Sequence, residues 1–212
     1  MTTTQLPKAR RRGRPPKVPR KDPDTRAALI RSGLEVLTEQ GFIASGIDGI
    51  LKRVGVPKGS FYYYFDSKEA FGRAVIEHYG AYFAAKLDRH LSDMSQPPLA
   101  RLETFVEDAS AGMARHGYRR GCLVGNLGQE AGGLPTGYRD WLLATLADWE
   151  QRLAHCLEEA REAGELAKGA DCDLLAKAFW IGWEGAVMRA KLEHSAHPLR
   201  IFISTYLQGL PR

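Results

Sequence analysis

The chain has 212 residues, of which 44% are hydrophobic and 26% charged, a balance typical of one or two globular domains. It contains no apolar run long enough to span a membrane, and no apolar stretch follows the basic N-terminus as in a secretory signal. The three cysteines, Cys122, Cys156 and Cys172, form no CxxC pair, which argues against a disulfide framework. We therefore expect a soluble, cytoplasmic protein.

The excess of positive over negative charge comes from a short N-terminal arm. Residues 8–21 contain eight Lys or Arg and no acid, whereas the whole chain carries a net charge of +5, so the other residues together are acidic. The arm at residues 1–21 is rich in proline and poor in large apolar groups, so we expect it to be disordered without a partner. Such an arm favours a polyanion, most simply nucleic acid, over a membrane because it has no apolar anchors.

Three short amphipathic helices are predicted at the start of the folded part, which begins near residues 22–24. The first has an apolar face and ends at Gly41, the second covers about 47–54, and the third runs from Lys58 to Phe65 after a tight turn at 55–57. The apolar face of the first helix comprises Leu29, Ile30, Gly33, Leu34 and Leu37. Three helices with a tight turn before the third are typical of a helix-turn-helix.

Helical periodicity continues to the C-terminus. A fourth helix begins at Ser67, its expected N-cap, and Pro and Gly clusters separate the later helices. The predicted spans are 67–92, 98–116, 122–131, 136–163, 172–195 and 198–208. The fold class is all-α, with about nine helices. We expect a basic arm at 1–21, a helix-turn-helix domain at 22–70 and an effector-binding and dimerisation domain at 71–212.

The third helix has the features of a DNA-reading helix. Phe61 and Phe65 lie four residues apart and point to the core. At least one of the three tyrosines between them must therefore be exposed. Glycine permits close approach of the backbone to DNA, lysines can bind phosphates, and tyrosines can contact phosphates or thymine methyl groups. The candidate contacts on this helix and just after it are Lys58, Gly59, Ser60, Tyr62, Tyr63, Tyr64 and Lys68.

The stretch VPKGSFYYYFDSKE at 56–69 resembles the signature of the TetR family of repressors, as do Gly41-Phe42 and the segment 47–50. The resemblance implies an all-helical homodimer that binds a palindromic double-stranded DNA operator through the residues just given. Gly46 stands where the family often starts the second helix with Ser or Thr, and we expect Ser45 to supply the cap instead.

Arg12-Gly13-Arg14-Pro15 in the arm resembles an AT-hook core. Arg12 and Arg14 could enter a narrow A·T minor groove, where the potential is most negative. The alternative is a tail that contacts only phosphates, and both interpretations stay open. Either mode would increase the affinity for DNA and its dependence on salt.

The effector half contains two distinctive stretches, HGYRRGCLVGNLGQE at 116–130 and AFWIGWEGA at 178–186. They resemble a narrower TetR group that responds to acrylate and dimethylsulfoniopropionate, and more weakly a group that senses electrophiles through cysteine. The resemblance implies a small-molecule inducer, either an acrylate-like carboxylate or a reactive electrophile. Aromatic walls with a few polar groups suit such a cavity. The candidate effector residues are Arg120, Cys122, Asn126, Gln129, Glu130, Trp180, Trp183 and Glu184. The alternatives stay open that the polar residues of 126–130 lie on the solvated surface and that the aromatic residues serve core or dimer packing.

Two of these candidates have a stated chemistry. Arg120 has the charge and fork geometry to pair with a carboxylate. Cys122 lies at an expected helix start after Arg119 and Arg120, and both features lower the pKa of a thiol, which would favour a redox or electrophile sensor. The alternative for Cys122 is a small buried apolar side chain, which we expect Cys156 and Cys172 to be.

The last two long helices are expected to dimerise, with small residues at Gly182, Gly185 and Ala186 allowing close approach. No cofactor is indicated, and the sequence lacks a phosphate loop and the GxGxxG, HExxH and GxSxG motifs, which argues against an enzyme. A metal sensor is disfavoured because the cysteines and His155 lack ligand spacing. The remaining alternative is an architectural DNA-binding protein that uses the arm without sequence preference.

Overall fold

The computed structural model describes residues 23–212, and within that range the protein is built from nine α-helices without strands, which confirms the all-α prediction. Arg12 and Arg14 lie outside the described residues. The helices in chain order are α1 (Pro23–Gln40), α2 (Ile47–Val54), α3 (Lys58–Tyr64), α4 (Lys68–Leu91), α5 (Pro98–Arg115), α6 (Leu123–Gly128), α7 (Tyr138–Glu162), α8 (Cys172–Glu193) and α9 (His197–Gln208).

The helix ends follow local chemistry. Gly41 and Gly55 have φ of +82° and +72°, a left-handed conformation that glycine adopts without strain, and they end α1 and α2. Ser67 caps α4 as predicted, since its hydroxyl accepts from the Ala70 N–H at 3.0 Å. The predicted cap at Ser45 is wrong: Gly46 occupies the N-cap position without a side-chain bond, and the buried Ser45 hydroxyl donates to the Phe42 carbonyl at 2.9 Å.

Helices α1 to α3 pack with the first turns of α4 around an aromatic cluster. The Phe61 ring is fully buried, and its centroid lies 5.5 Å from that of Phe65 and 5.2 Å from that of Phe71. Gly33 of α1 lies directly beneath the Phe71 ring, where a β-carbon would collide with it. The tight packing fixes the orientation of α3, because burying Phe61 on one face turns the next two side chains outward.

The effector half is built around α4, α7 and α8, with α5 and α9 packed at the sides. Its core is a second aromatic cluster in which the Trp149 ring lies 4.4 Å from Phe83 and 5.1 Å from Trp180, between centroids. α4 belongs to both clusters, so it joins the two halves mechanically. The domain boundary expected after residue 70 falls inside this helix, and its position stays a prediction.

Two predicted helices end earlier than expected. The segment predicted as one helix at 122–131 is the short α6 followed by a 3-10 turn at Ala131–Gly133, since glycines at 128, 132 and 133 weaken a continuous helix. α8 ends at Glu193 because His194 adopts a left-handed conformation with φ of +49°. Gly182 of α8 lies against the Phe202 ring of α9, so its small size serves packing within one chain.

Candidate DNA interface and effector cavity

α3 presents an aromatic and polar surface to solvent. Tyr62 and Tyr63 are 50% and 40% exposed, although the adjacent Phe61 is fully buried. Among residues 23–212 no side chain lies near the open face of Gly59, and a DNA backbone could therefore approach it closely. The Lys58 side chain is 61% exposed, and its ammonium lies 3.6 Å from a carboxylate oxygen of Asp48, whose side chain is exposed too. Ion pairs this exposed contribute little stability, so phosphate could displace Asp48 at small cost.

Three other predicted DNA contacts are less exposed. Tyr64 is half-buried, packs against the core and lies edge-on to Tyr63 with ring centroids 5.1 Å apart. The Lys68 ammonium donates to the Phe42 carbonyl at 2.7 Å and lies 4.4 Å from the centre of the Phe42 ring. Lys68 therefore ties the start of α4 to the end of α1, and phosphate binding there would compete with these contacts. Ser60 is half-buried at the base of the same surface.

A cavity of about 330 Å³ opens between α1, α4, α5 and α8. Its apolar walls include Tyr79 and Phe83 of α4, Met113 of α5 and Trp183 of α8. Its charged and polar lining includes Arg31, Glu35, Thr38, Lys86, Arg115 and Arg120. The volume lies in the range of small-molecule sites, about 300–1,000 Å³, and α1 of the helix-turn-helix supplies part of the wall.

Arg120 reaches this cavity but is already paired. Its Nε lies 2.8 Å from Glu39 and its terminal nitrogen 3.4 Å from Glu35, both on α1. Arg53 of α2 pairs with the same two carboxylates at 3.3 Å. Burial acts to raise the pKa of Glu39, but the hydrogen bonds from Arg120 and Arg53 outweigh it and lower the pKa. Arg120 thus connects the effector half to α1, through two carboxylates that also pair with Arg53 of α2.

Asn126 and Lys191 contact the end of α1 from the effector half. Asn126 donates to the Thr38 carbonyl, and the Lys191 ammonium donates to the same carbonyl at 3.3 Å and to the Asn126 side-chain oxygen at 2.9 Å. Carbonyls in the last turn of a helix have no partner within the helix, so these donors satisfy an orphan acceptor. The two residues therefore hold the C-terminal end of α1.

Glu130 forms a second contact with the segment that follows α1. One carboxylate oxygen accepts from the backbone N–H groups of Phe42 at 2.7 Å and Ile43 at 3.2 Å. A β-carbon at Gly41 would collide with this carboxylate, so the left-handed glycine and the acid fit together. Glu130 lies at the junction of the two halves and outside the cavity lining.

Cys122 does not have the electrostatic surroundings predicted from the sequence. The thiol is buried, and burial together with the nearby Glu184 raises its pKa well above the ordinary value. The expected lowering of the pKa is therefore wrong: Arg120 turns away to α1, and although the Gly125 N–H points to the sulfur at 3.5 Å, it does not offset burial. Cys156 and Cys172 are buried too, as expected.

Glu184 lies beside Cys122 with one carboxyl oxygen inaccessible to solvent and without a hydrogen-bond partner among the described residues. Burial raises the pKa of Glu184 to about 7. A hydrogen bond with the Cys122 thiol lowers the pKa by less than burial raises it. Cys122, Asn126, Gln129 and Glu184 line a narrow cleft of about 170 Å³ on the far side of the thiol. Cys122 and Val187 line both the cleft and the larger cavity.

The predicted effector residues therefore separate into groups. Arg120, Cys122 and Trp183 line the cavity, whereas Trp180 lies in the aromatic core and its indole nitrogen has no partner among the described residues. Arg31 and Lys86 also line the cavity and were not predicted from the sequence. A signal existed for Lys86, since a charge stands on the apolar face of α4, three residues after Phe83 and beside Leu87.

Within residues 23–212, no helix combines the length and the apolar character that a membrane-spanning segment needs.

Known proteins share this architecture and much of the sequence. Residues 29–75 match the family described as bacterial regulatory proteins, tetR family, and residues 98–206 match the tetracyclin repressor-like C-terminal domain. The chain is 53% identical to the transcriptional regulator AcuR of Cereibacter sphaeroides over 208 residues, which cover 97% of this chain and 93% of that protein. A crystal structure of the regulatory protein TetR from Rhodobacter sphaeroides is also 53% identical, with a TM-score of 0.86 over 88% of this chain and 98% of that one.

A more distant relative supports the same family. The repressor NemR of Escherichia coli is 31% identical over 176 residues, which cover 83% of this chain and 88% of that protein. AcuR and NemR confirm the narrower resemblance of the effector half. The chain therefore belongs to the TetR family of helix-turn-helix transcriptional regulators, which are DNA-binding proteins and not enzymes.

Proposed function

We propose that this protein is a homodimeric transcriptional repressor that binds a palindromic operator through α3 and leaves it when a small molecule occupies the cavity. The observation that carries the proposal is the position of the cavity, whose walls come from α1 of the helix-turn-helix as well as from α4, α5 and α8. A ligand there touches both halves at once. It can favour one relative position of the halves over another, which a regulator requires of its effector.

The contacts between the halves provide the element that such a ligand would change. Arg120 pairs with two carboxylates of α1, Asn126 and Lys191 hold the Thr38 carbonyl, and Glu130 binds the segment after α1. Because Thr38 and Arg120 themselves line the cavity, a ligand that displaces either side chain alters these bonds directly. The resulting shift of α1 moves α3, which packs with it on the same aromatic cluster.

An exposed apolar stripe supports the homodimer. Leu174, Ile181, Met188 and Leu192 recur along α8 on one face, and Ile181 is 77% exposed. Gly185 lies on the same stripe with open space above it, so a second helix could approach closely there. A two-fold dimer through α8 and α9 would place the two copies of α3 in successive major grooves, about 34–36 Å apart. We infer that the protein acts in the cytoplasm, where such an operator is accessible.

The resemblance of the effector half favours an acrylate-like carboxylate or a reactive electrophile as inducer. A redox or electrophile sensor acting through Cys122 is the second candidate, supported by the position of the thiol in the cavity wall. The raised pKa of the Cys122 thiol counts against it, since the thiolate is the reactive form. Cys122→Ser separates the two: it should leave release by carboxylates unchanged, and release by electrophiles should disappear only if the thiol reacts.

The test of the main proposal is the selection of operator sequences from random duplexes with the full-length protein, followed by fluorescence anisotropy on selected and scrambled DNA. A specific repressor should prefer its operator by about a thousandfold or more at physiological salt. A palindromic consensus bound by one dimer, and lost on addition of one compound from a panel of acids, aldehydes and oxidants, is the expected outcome. Equal affinity for selected and scrambled DNA would identify an architectural protein and refute the proposal.

A further inference from the structure

Lys86 is a buried lysine among the residues that line the cavity. The residue belongs to α4 and is only 8% exposed. Such burial is rare for a lysine unless its charge is paired. The ammonium lies 2.9 Å from one oxygen of Asp108, and the same oxygen lies 3.1 Å from His90. This contact holds the pKa of Asp108 below its ordinary value. Asp108 is therefore ionised at neutral pH and shared between two groups.

One acceptor does not satisfy an ammonium. Lys86 has three N–H donors, and among the described residues Asp108 is the one acceptor within bonding distance. A buried donor without an acceptor carries a desolvation cost that a bound acceptor would remove. Because Lys86 lines the cavity, that acceptor can come from a ligand.

The remaining charges on the cavity also favour an anion. Arg31 and Arg115 line the opening, and neither has an acidic partner among the described residues. Glu35 is the one acidic side chain in the described lining, and Arg53 and Arg120 both pair with it. A cavity with several cations and one neutralised acid has a positive potential, which concentrates anions at its entrance.

We propose that Lys86 anchors the carboxylate of the acrylate-like effector. The carboxylate binds the free donors of Lys86, and the apolar body of the effector packs against Tyr79, Phe83 and Trp183, which border the same space. This inference rests on the proposed function, because it assigns the residue that recognises the molecule that releases the DNA. It also moves the anion contact away from Arg120, which is engaged by Glu39 and Glu35.

The test compares acids with their neutral amides. Acrylate and cinnamate, with acrylamide and cinnamamide as matched neutral probes, are titrated into the full-length protein by calorimetry. The wild type should bind the acids and not the amides. Lys86→Met should weaken acid binding roughly ten- to hundredfold, as expected for the loss of a charged hydrogen bond. Lys168→Met, which removes an exposed lysine between α7 and α8, is the matched control and should bind like the wild type.

Asp108→Asn makes the test independent of a structural role for Lys86. It removes the competing carboxylate and keeps the ammonium, so acid affinity should rise several-fold, whereas a purely structural ion pair would give only a loss of stability. If Lys86→Met does not fold, Asp108→Asn decides alone, and unchanged or weaker acid binding overturns the inference. Amides that bind as tightly as acids, or a folded Lys86→Met with wild-type affinity, overturn it too. If operator binding is absent, the proposed function fails, yet the acid titration still tests Lys86.

Discussion

The buried Glu184 leads to a prediction about stability and pH. Its pKa is raised from the ordinary 4.5 to about 7, chiefly by burial. The unfolded chain therefore releases this proton near pH 4.5, while the folded protein keeps it until about pH 7. The group therefore imposes no cost on the folded state below pH 4.5, its cost grows between pH 4.5 and about 7, and the cost is constant above that. At about 1.4 kcal/mol per pKa unit, the full cost above pH 7 is about 3 kcal/mol.

Glu184→Gln removes this titration and preserves the shape of the side chain, including an oxygen that can accept from the Cys122 thiol. The variant should gain stability relative to the wild type as the pH rises, and should be more stable by up to about 3 kcal/mol at about pH 8. Urea unfolding followed by circular dichroism, at several pH values on either side of neutrality, measures the difference. Comparison at fixed protein concentration is required because dimerisation contributes to stability.

Glu162→Gln is the control, since Glu162 is exposed in the last turn of α7. It should follow the wild type at every pH. A Glu184→Gln variant whose difference from the wild type stays constant across the pH range would show that Glu184 titrates normally, and the argument from burial would fail.

Three further predictions concern the DNA interface and the core. Tyr63→Ala should abolish operator binding with an unchanged circular dichroism spectrum, because the ring is exposed on α3; retained affinity would count against α3 as the reading helix. Deletion of residues 1–21 should weaken DNA binding and flatten the slope of log K against log salt by about 2 for two arginine contacts, and by up to about 7 for all eight basic residues. An unchanged slope would show that the arm does not contact DNA. Gly33→Val should lower the free energy of unfolding by about 3 kcal/mol because it collides with Phe71, whereas Gly49→Ala, which faces open space, should be neutral or stabilising in a denaturant titration.

The cysteine shows where sequence reasoning was limited. Two arginines and a helix start precede the thiol of Cys122, and both features ordinarily lower a pKa. In the structure Arg120 extends to Glu39, which is 81 residues away in the chain, and Glu184 approaches from α8. Burial of the thiol is the main cause that raises its pKa, and Glu184 adds to it, so the neighbours in sequence predicted the sign of the shift wrongly.

The sequence by itself determined the helical fold, the helix-turn-helix and the exposure of at least one of the three tyrosines of α3. These features are local, because a helix repeats every 3.6 residues and one buried Phe61 sets the direction of its neighbours. Only the tertiary structure decided which charges meet in the cavity and which are already paired. Residues on other helices determine the ion pairs of Lys86 and Arg120 and the burial that raises the pKa of Glu184. Electrostatic energy depends on distance and burial in space, which separation along the chain does not give.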